Sequence, residues 1–315
     1  MNTFNNYPAA RPWLMALLLS AFAAGCGGGG GGRDPVLGTD GAGSAGGTSG
    51  ITVIPPTATA VSLGSASRFG IFGGSAGMTN TGVQTVITGS GGNTADIGTT
   101  ATGTSSVTGF HDSAGDFYTE TGANVGNVTG NIYTCTHSTT GPTSAGVNAV
   151  SCTVATNALA DTLAAYNALV AQPAGPNPGA GNLANLTLTP GTYTAAAGSF
   201  KIEGGDLTLD AQGNANAVWV FQMATTLTVG GPGAAFPQSI ILANGALAKN
   251  VYWQVGSAAT INAAGGGTMV GTIISQAGIA FSTAGNAAIM TLNGRALSLG
   301  ASVTLVNTVI NVPAP

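Results

Sequence analysis

Two patterns of apolar and polar residues alternate along the second half of the chain. In the first pattern almost every residue is apolar, as in 217–221, 251–255, 272–274 and 295–297. Strands with this pattern are covered on both faces. In the second pattern one polar or small residue stands between two apolar residues, which is typical of a strand with one buried face and one face in water.

The strands of the second pattern recur at similar intervals. Their central residues are Thr208, Thr228, Thr260, Ala280 and Thr304, at steps of 20, 32, 20 and 24 positions. Nearly regular repetition of this kind indicates a solenoid in which each turn contributes one strand to each face. We therefore expect these five residues to stack in one outward-facing column.

A third, weaker type of strand, at 239–242 and 288–290, implies three strands per turn. The predicted fold is therefore mainly β, a three-sided β-helix. We also predict a helix near 154–172 that covers the side of the β-helix whose strands are apolar on both faces. Residues 153–172 contain neither Gly nor Pro, and the prolines that follow would end the helix. The predicted apolar stripe of this helix consists of Leu159, Leu163, Tyr166, Leu169 and Val170.

Composition excludes several classes of protein. The chain has 315 residues, of which 52 are Gly, 44% are apolar and only 5% are charged. Its mean hydropathy of +0.34 argues against disorder over most of the chain. The net charge is −4 and the six Lys and Arg residues are scattered, so we expect no nucleic-acid binding.

The distribution of acidic residues argues against an enzyme. All ten Asp and Glu residues lie at or before Asp210, and residues 211–315 contain no His. That segment cannot form a carboxylate pair or a Ser-His-Asp triad by itself. We expect no catalytic residues, no cofactor and no metal.

Two polar clusters offer alternative interpretations, as an enzyme site or as a metal site. Carboxylates at one end of the solenoid would suit a carbohydrate-active β-helix, but we interpret them as solvated turn residues; they are Glu203, Asp206 and Asp210. A metal site would need a stronger ligand pattern than the second cluster offers, so we interpret it as a polar loop. That cluster consists of His111, Asp112, Asp116 and Glu120.

Residues 1–26 are predicted to be an export signal of the lipoprotein type. The apolar stretch 13–22 follows Arg11 and is too short for a membrane span. The small residues before Cys26 resemble a bacterial lipobox, in which that Cys is lipidated; the alternative is an ordinary cleavage site. Residues 27–50 have the composition of a flexible tether, and 51–315 form the folded domain. We expect a bacterial cell-surface lipoprotein or a secreted protein, with membrane contact only through the lipid.

Cys135 and Cys152 fit an exported protein. They lie 17 residues apart, and only His137 is near enough in sequence to join them in a zinc site. We predict a disulfide rather than two free thiols. Closing a loop of this size stabilises a fold by about 3 kcal/mol in the chain-entropy account.

Several motifs in order along the chain resemble one family. They are 61–66, 69–71, 189–193, 218–222, 248–255, 271–274 and 293–297. Over residues 58–310 the chain is similar to the microbial ice-binding proteins of the DUF3494 type. The resemblance implies a discontinuous right-handed β-helix with one long helix beside it. It also implies a disulfide-closed capping insertion before the helix, where Cys135 and Cys152 fall.

The resemblance implies an ice crystal surface as the partner. Strands lie about 4.8 Å apart and alternate residues along a strand about 6.7 Å apart, a grid close to oxygen spacings in ice. Thr suits this grid because β-branching fixes its χ1 angle. The expected ice-binding residues are Thr208, Thr228, Thr260, Ala280 and Thr304, flanked by Thr226, Ser282 and Ser302. We expect a monomer; the alternative is a surface adhesion or matrix module of the same fold without ice activity.

Overall fold

The computed structural model describes residues 54–314, except 92–94, 232–237, 264–265 and 284–287. For residues 263, 282 and 283 it describes the main chain only. The predicted export signal 1–26 with Cys26, and the predicted tether 27–50, lie outside the described residues.

The described residues form strands and one α-helix. The strands before the helix are β1 (Phe69–Gly73), β2 (Met78–Asn80), β3 (Thr85–Gly89), β4 (Asp96–Thr99), β5 (Val107–Thr108), β6 (Phe110–His111), β7 (Phe117–Tyr118), β8 (Gly126–Val128) and β9 (Ile132–Thr134). The helix is α1 (Ala149–Val170). The strands after it are β10 (Thr187–Leu188), β11 (Gly191–Thr194), β12 (Phe200–Ile202), β13 (Leu207–Asp210), β14 (Trp219–Met223), β15 (Leu227–Val229), β16 (Ile240–Ala243), β17 (Val251–Val255), β18 (Ala259–Ala263), β19 (Thr268–Ser275), β20 (Ile279–Thr283), β21 (Met290–Ser298), β22 (Val303–Leu305) and β23 (Thr308–Val312).

Seven parallel strands form the sheet that we call the seven-strand sheet. Their order is β12-β15-β18-β20-β22-β2-β5. The last strand of this sheet in sequence, β22, is therefore followed in space by two strands from the start of the chain. This order is consistent with the predicted discontinuous β-helix, because the N-terminal segment continues the stack from the C-terminal end.

A thirteen-stranded sheet includes β11, β14, β17, β19 and β21 in succession. It bends where β19 and β21 pass through Gly271 and Gly294, both with positive φ. Beyond the bend, residues 296–298 pair with β1, whereas residues 290–293 pair with β23. The strands predicted at 288–290 and 295–297 are thus largely one bent strand. The branch containing β1, together with β11, β14 and β17, is called the helix side here.

The remaining strands form the third side. A separate three-stranded sheet, β10-β13-β16, lies at one end of it. The main-chain N–H of Thr268 in β19 donates to Ser239 Oγ beside β16, which joins this small sheet to the other branch of the thirteen-stranded sheet. That branch continues through β23, β3 and β8.

Aromatic side chains fill the interior between the three sides. The rings of Phe221 and Trp253, on neighbouring strands, are stacked with centroids 4.1 Å apart, and Tyr193 stacks on the other side of Phe221 at 5.5 Å. Each buried indole N–H has an acceptor: Trp219 donates to the Leu188 carbonyl and Trp253 to the Val270 carbonyl. The predicted strands that are apolar on both faces are confirmed as buried, except at Val218, which is partly exposed.

The helix α1 packs on the helix side through small residues and through two residues of the predicted stripe, Tyr166 and Leu169. Leu163 and Val170 are 47% and 51% exposed, so placing them in the stripe is wrong. Alanines allow the helix to approach a sheet whose own side chains, such as Tyr252, supply the bulk. The buried positions of α1 are Ala155, Ala158, Thr162, Ala165, Tyr166 and Leu169.

Among the helices of the described ranges, none has the length and apolar character that crossing a membrane requires.

The helix begins earlier than predicted because Asn148 caps it. The Asn148 side chain accepts hydrogen bonds from the main-chain N–H groups of Val150 and Ser151. Cys152 lies in this first turn and is bonded to Cys135, which follows β9 directly. The predicted disulfide is confirmed, and it ties the polar insertion that precedes the helix to the helix itself.

Prolines cover one open edge of the thirteen-stranded sheet. The outward N–H groups of Thr192 and Thr194 on the edge strand β11 donate to the carbonyls of Pro56 and Pro176. A proline has no N–H with which to extend the ladder, so this edge is closed to further pairing.

Candidate functional site

The seven-strand sheet places one outward column of residues along its middle. The register pairs Thr228 with Thr260, Thr260 with Ala280, and Ala280 with Thr304. We call the set of outward residues at these stacked positions the central column. Thr228 and Thr304, for example, each stand between two buried apolar residues and are themselves partly exposed, as the alternating pattern predicts.

The inward neighbours of the column fix which face points to water. Ile261, Phe281 and Leu305 are each no more than 1% exposed. Because successive side chains of a strand point to opposite faces, the residues between such buried pairs must face outward. The orientation of the column therefore follows from the core.

Thr208 does not belong to this column, and the prediction that it does is wrong. Thr208 lies in β13, where the register pairs it with Thr187 and with Ile241 on the third side. Its outward neighbour Ile241 is 46% exposed, so the third side presents an apolar residue where a continuous Thr row would need a hydroxyl.

Three members of the central column were missed in the sequence. At one end Lys201 pairs with Thr228, and at the other end Thr304 pairs with Thr79, which in turn pairs with Thr108. The N-terminal residues were missed because only the discontinuous strand order brings them there. Lys201 was missed because a charged residue at the centre of its strand does not match the uncharged Thr at the centre of the other strands.

The hydroxyls of the column differ in whether they form a hydrogen bond within the protein. Thr228, Thr260, Thr304 and Thr79 make no side-chain hydrogen bond within the described part of the chain. The Thr108 hydroxyl instead donates to the Ser105 carbonyl at 3.1 Å. Four hydroxyls are therefore available to water.

Small polar residues flank the column on both sides. Thr226 and Ser302 directly precede β15 and β22 and are at least partly exposed. Ser282 lies on the opposite flank, where its main chain is in register with Asn262. The Ser282 side chain lies outside the described atoms.

Charge is confined to one end of the seven-strand sheet. The ammonium of Lys201 lies 2.7 Å from a carboxylate oxygen of Glu203. Both side chains are solvent-exposed, so this ion pair contributes little to stability. From Thr228 to Thr108 the central column is uncharged over five strand steps, or about 24 Å at ordinary strand spacing.

The carboxylates that could suit carbohydrate chemistry hold local turns. A carboxylate oxygen of Asp206 accepts the main-chain N–H of Ser239 at 2.7 Å. Hydrogen bonds from the Asn244 amide and from the Gln212 N–H hold the pKa of Asp210 below its usual value. These contacts match the interpretation as turn residues.

The second polar cluster is likewise engaged in contacts within the part of the chain that precedes α1. His111 Nδ1 lies 2.8 Å from a carboxylate oxygen of Glu120. Asp112 accepts three main-chain N–H groups, and Asp116 accepts the Ser138 hydroxyl and the Thr143 N–H. Within the described ranges, no group of three or more His, Cys, Asp or Glu side chains is placed to hold a metal ion.

The arrangement suits contact with an ordered, uncharged partner. Parallel strands hold the Thr side chains in two dimensions, and the χ1 preference of Thr limits their rotation. The hydroxyls can bind water while the methyl groups between them cannot, so the face offers a regular alternation of the two.

Comparison with known proteins agrees with this description. The profile of the family described as ice-binding-like matches residues 72–311. An ice-binding protein of Nostoc sp. (strain HG1) is 35% identical over 243 residues, which cover 77% of this chain and 71% of that protein. The crystal structure of an ice-binding protein from the ascomycete Antarctomyces psychrotrophicus aligns with a TM-score of 0.59 at 31% identity, covering 82% of this chain and 100% of that chain. The DUF3494 domain of Shewanella frigidimarina ice-binding protein 1 aligns with a TM-score of 0.60 at 26% identity, covering 82% and 98%.

Proposed function

This chain belongs to the ice-binding-like family, and on that premise we propose that it binds ice through the outer face of the seven-strand sheet. The contact consists of Thr228, Thr260, Ala280, Thr304 and Thr79, with Thr226, Ser282 and Ser302 at its borders. The observation that carries this proposal is the uncharged part of the central column from Thr228 to Thr79, whose Thr hydroxyls have no partner in the described protein.

Adsorption follows from the sum of many weak contacts. Each hydroxyl exchanges bulk water for water held in the crystal, and each methyl group favours an ordered local shell. A single contact of this kind contributes little, because a hydrogen bond to the protein replaces one to water. Binding therefore requires that the contacts form simultaneously, which a rigid flat sheet allows.

A bulky residue in the column tests the proposed face. Thr228→Tyr and Thr260→Tyr should each remove most thermal hysteresis, because one protruding ring lifts the sheet off the crystal. Both sites are partly exposed, so the fold should survive, as circular dichroism would verify. Thr208→Tyr and Thr291→Tyr introduce the same ring on the third side and should leave the activity close to that of the wild type.

The opposite pattern would identify a different face. Loss of activity in Thr208→Tyr or Thr291→Tyr, with full activity in both column variants, would assign ice binding to the third side. If the wild-type protein neither shapes ice crystals nor slows their recrystallisation, the alternative of an adhesion or matrix module takes its place.

We also propose that the domain acts as a monomer tethered outside the cell through a lipid on Cys26. One chain supplies all strands of the face, so a second copy is not needed. Cys26→Ser should block lipid addition and shift the protein from the membrane fraction to the soluble fraction. Unchanged membrane association of that variant would contradict the lipid anchor, and recovery of soluble wild-type protein would favour simple secretion.

A further inference from the structure

The sequence contains two Asn–Gly pairs, at 244–245 and at 293–294. An Asn that is followed by Gly can lose its side-chain amide, because the main-chain nitrogen of the Gly can reach the carboxamide carbon and no Cβ hinders the approach. In a folded protein this reaction also requires a free N–H group and room for the main chain to rotate. The structure places the two pairs in opposite surroundings.

The first pair, Asn244–Gly245, lies in an exposed turn that follows β16. The main-chain N–H of Gly245 donates to no group of the described residues. A Cβ added to Gly245 would have no atom within 4 Å, so open space surrounds the main chain at this point. Both requirements of the reaction are therefore met in this turn.

The second pair, Asn293–Gly294, lies inside β21 and is held from several sides. Its main chain is in register with β19, and Asn293 is also in register with β23. Gly294 is buried, and an added Cβ would overlap the carbonyl oxygen of Gly271. The Asn293 side-chain oxygen accepts a hydrogen bond from the Asn311 amide at 2.9 Å. Rotation of this main chain would break the strand pairing.

We propose that Asn244 is a site of spontaneous deamidation in the folded protein and that Asn293 is protected from it. The Gly245 nitrogen loses its proton to solvent and forms a bond to Cγ of Asn244. The bond between Cγ and Nδ2 breaks, and the amide takes a proton from water and leaves as ammonia. Water then opens the resulting cyclic imide at either carbonyl, which produces a mixture of aspartate and isoaspartate.

Deamidation at this position alters the contact between two turns on the third side. The Asn244 amide donates to a carboxylate oxygen of Asp210 at 2.8 Å, and the Asn244 carbonyl accepts the Gly213 N–H at 2.9 Å. In either product a carboxylate replaces the amide donor, so a second negative charge lies near that of Asp210. The modified protein therefore gains a negative charge and loses a link between the turns that follow β13 and β16.

Incubation of the folded, full-length protein in mildly alkaline buffer made with ¹⁸O-labelled water tests the site. Ring opening takes its oxygen from water, so peptide mass spectrometry separates deamidation during the incubation from deamidation that occurred before it. The label should accumulate at residue 244 and stay at background at residue 293. In urea, where the surroundings of both pairs are lost, it should accumulate at both.

Gly245→Ala is the matched control, because the added Cβ hinders the attack on Cγ and contacts no other part of the described protein. It should slow labelling at residue 244 about tenfold. An unchanged rate in this variant, verified as folded by circular dichroism, would contradict attack by the Gly245 nitrogen.

Equal labelling of residues 244 and 293 in the folded protein would overturn the proposal. Labelling of neither residue in the folded protein, when both react in urea, would also overturn it. Residue 244 lies outside the seven-strand sheet, so the outcome of this test is independent of the ice-binding proposal.

Discussion

Ala280 is the one residue without a hydroxyl between Thr228 and Thr108 in the central column. Its neighbours on both adjacent strands are Thr, so the row of hydroxyls is interrupted at a single strand. The interruption removes one water-binding group from the middle of the face, where a contact has neighbours on every side.

Ala280→Thr should therefore raise thermal hysteresis above that of the wild type. The added side chain has a high β-propensity, and the position is partly exposed in a strand, so stability should change by less than about 1 kcal/mol. Ala243→Thr makes the same change on the third side and should leave the hysteresis unchanged. An increase in both variants, or in neither, would contradict the assigned face.

Single residues also show where sequence-based prediction of the face stops. Thr208 and Thr228 both stand between two buried apolar residues, and both local patterns correctly predict an alternating strand. The three-residue pattern does not show which sheet such a strand joins, because the sheet depends on how many strands the chain forms between the two positions. The outward orientation of these side chains was therefore predictable. It was not predictable that Lys201 belongs to the central column and that Thr208 does not.

At the scale of single elements, the strands that are apolar on both faces were predictable and the helix contact was not. An apolar run is buried wherever it lies, so β14 and β17 follow from composition. The helix stripe requires knowledge of the opposing surface. The sheet beneath α1 carries Tyr252 and Phe72, and it leaves room for Ala155 and Ala158 instead of Leu163.

The bend of β19 at Gly271 depends on the missing side chain. Gly271 has φ of 101°, and an added Cβ would lie 2.5 Å from the Val251 carbonyl oxygen. Gly271→Ala should lower the free energy of unfolding by about 3 kcal/mol, from backbone strain and steric overlap together. Gly213→Ala, at φ of 84° with no atom within 4 Å, should cost only about 1 kcal/mol. Equal costs in urea denaturation would show that steric overlap contributes nothing at the bend.

The start of α1 provides a second test at this scale. Asn148→Ala removes the acceptor of two main-chain N–H groups and should lower the free energy of unfolding by about 1 kcal/mol. Asn148→Asp retains the acceptor and adds a negative charge at the helix N-terminus, so it should restore stability. A loss of stability in both variants, measured by thermal unfolding, would mean that the amide has another role.

For the whole molecule, the disulfide joins the capping insertion to the helix. Replacing Cys135 and Cys152 together by Ser should lower the free energy of unfolding by about 3 kcal/mol, as expected for a short closed loop. Both residues lie outside the seven-strand sheet, so thermal hysteresis measured near 0 °C should persist. Loss of hysteresis in a variant that remains folded would show that the insertion supports the ice-binding face.

Three buried tyrosines should make the fold sensitive to alkali. Desolvation raises the pKa of Tyr118, Tyr193 and Tyr252 above the ordinary value. In the unfolded chain these phenols ionise near pH 10, whereas in the folded protein they keep their protons to higher pH. Their contribution to stability is thus complete below pH 10 and is lost as the pH rises through the folded-state values. Phenolate absorbance should accordingly appear at higher pH in native than in denaturant-unfolded protein, and Tyr193→Phe should reduce its late part.

The discontinuous strand order has a consequence for the moment at which the protein can fold. Thr79 pairs with Thr304, so a strand made early in the domain has to wait for one made near the end of the domain. Closing so long a loop is slow and precedes any gain from the contacts it permits. Within the seven-strand sheet β22 is the last strand in the sequence, yet it lies inside the stack, with strands synthesised earlier on both sides. The stack of Thr residues can therefore be completed only after β22 has been synthesised, when the first and last strands of the sheet join.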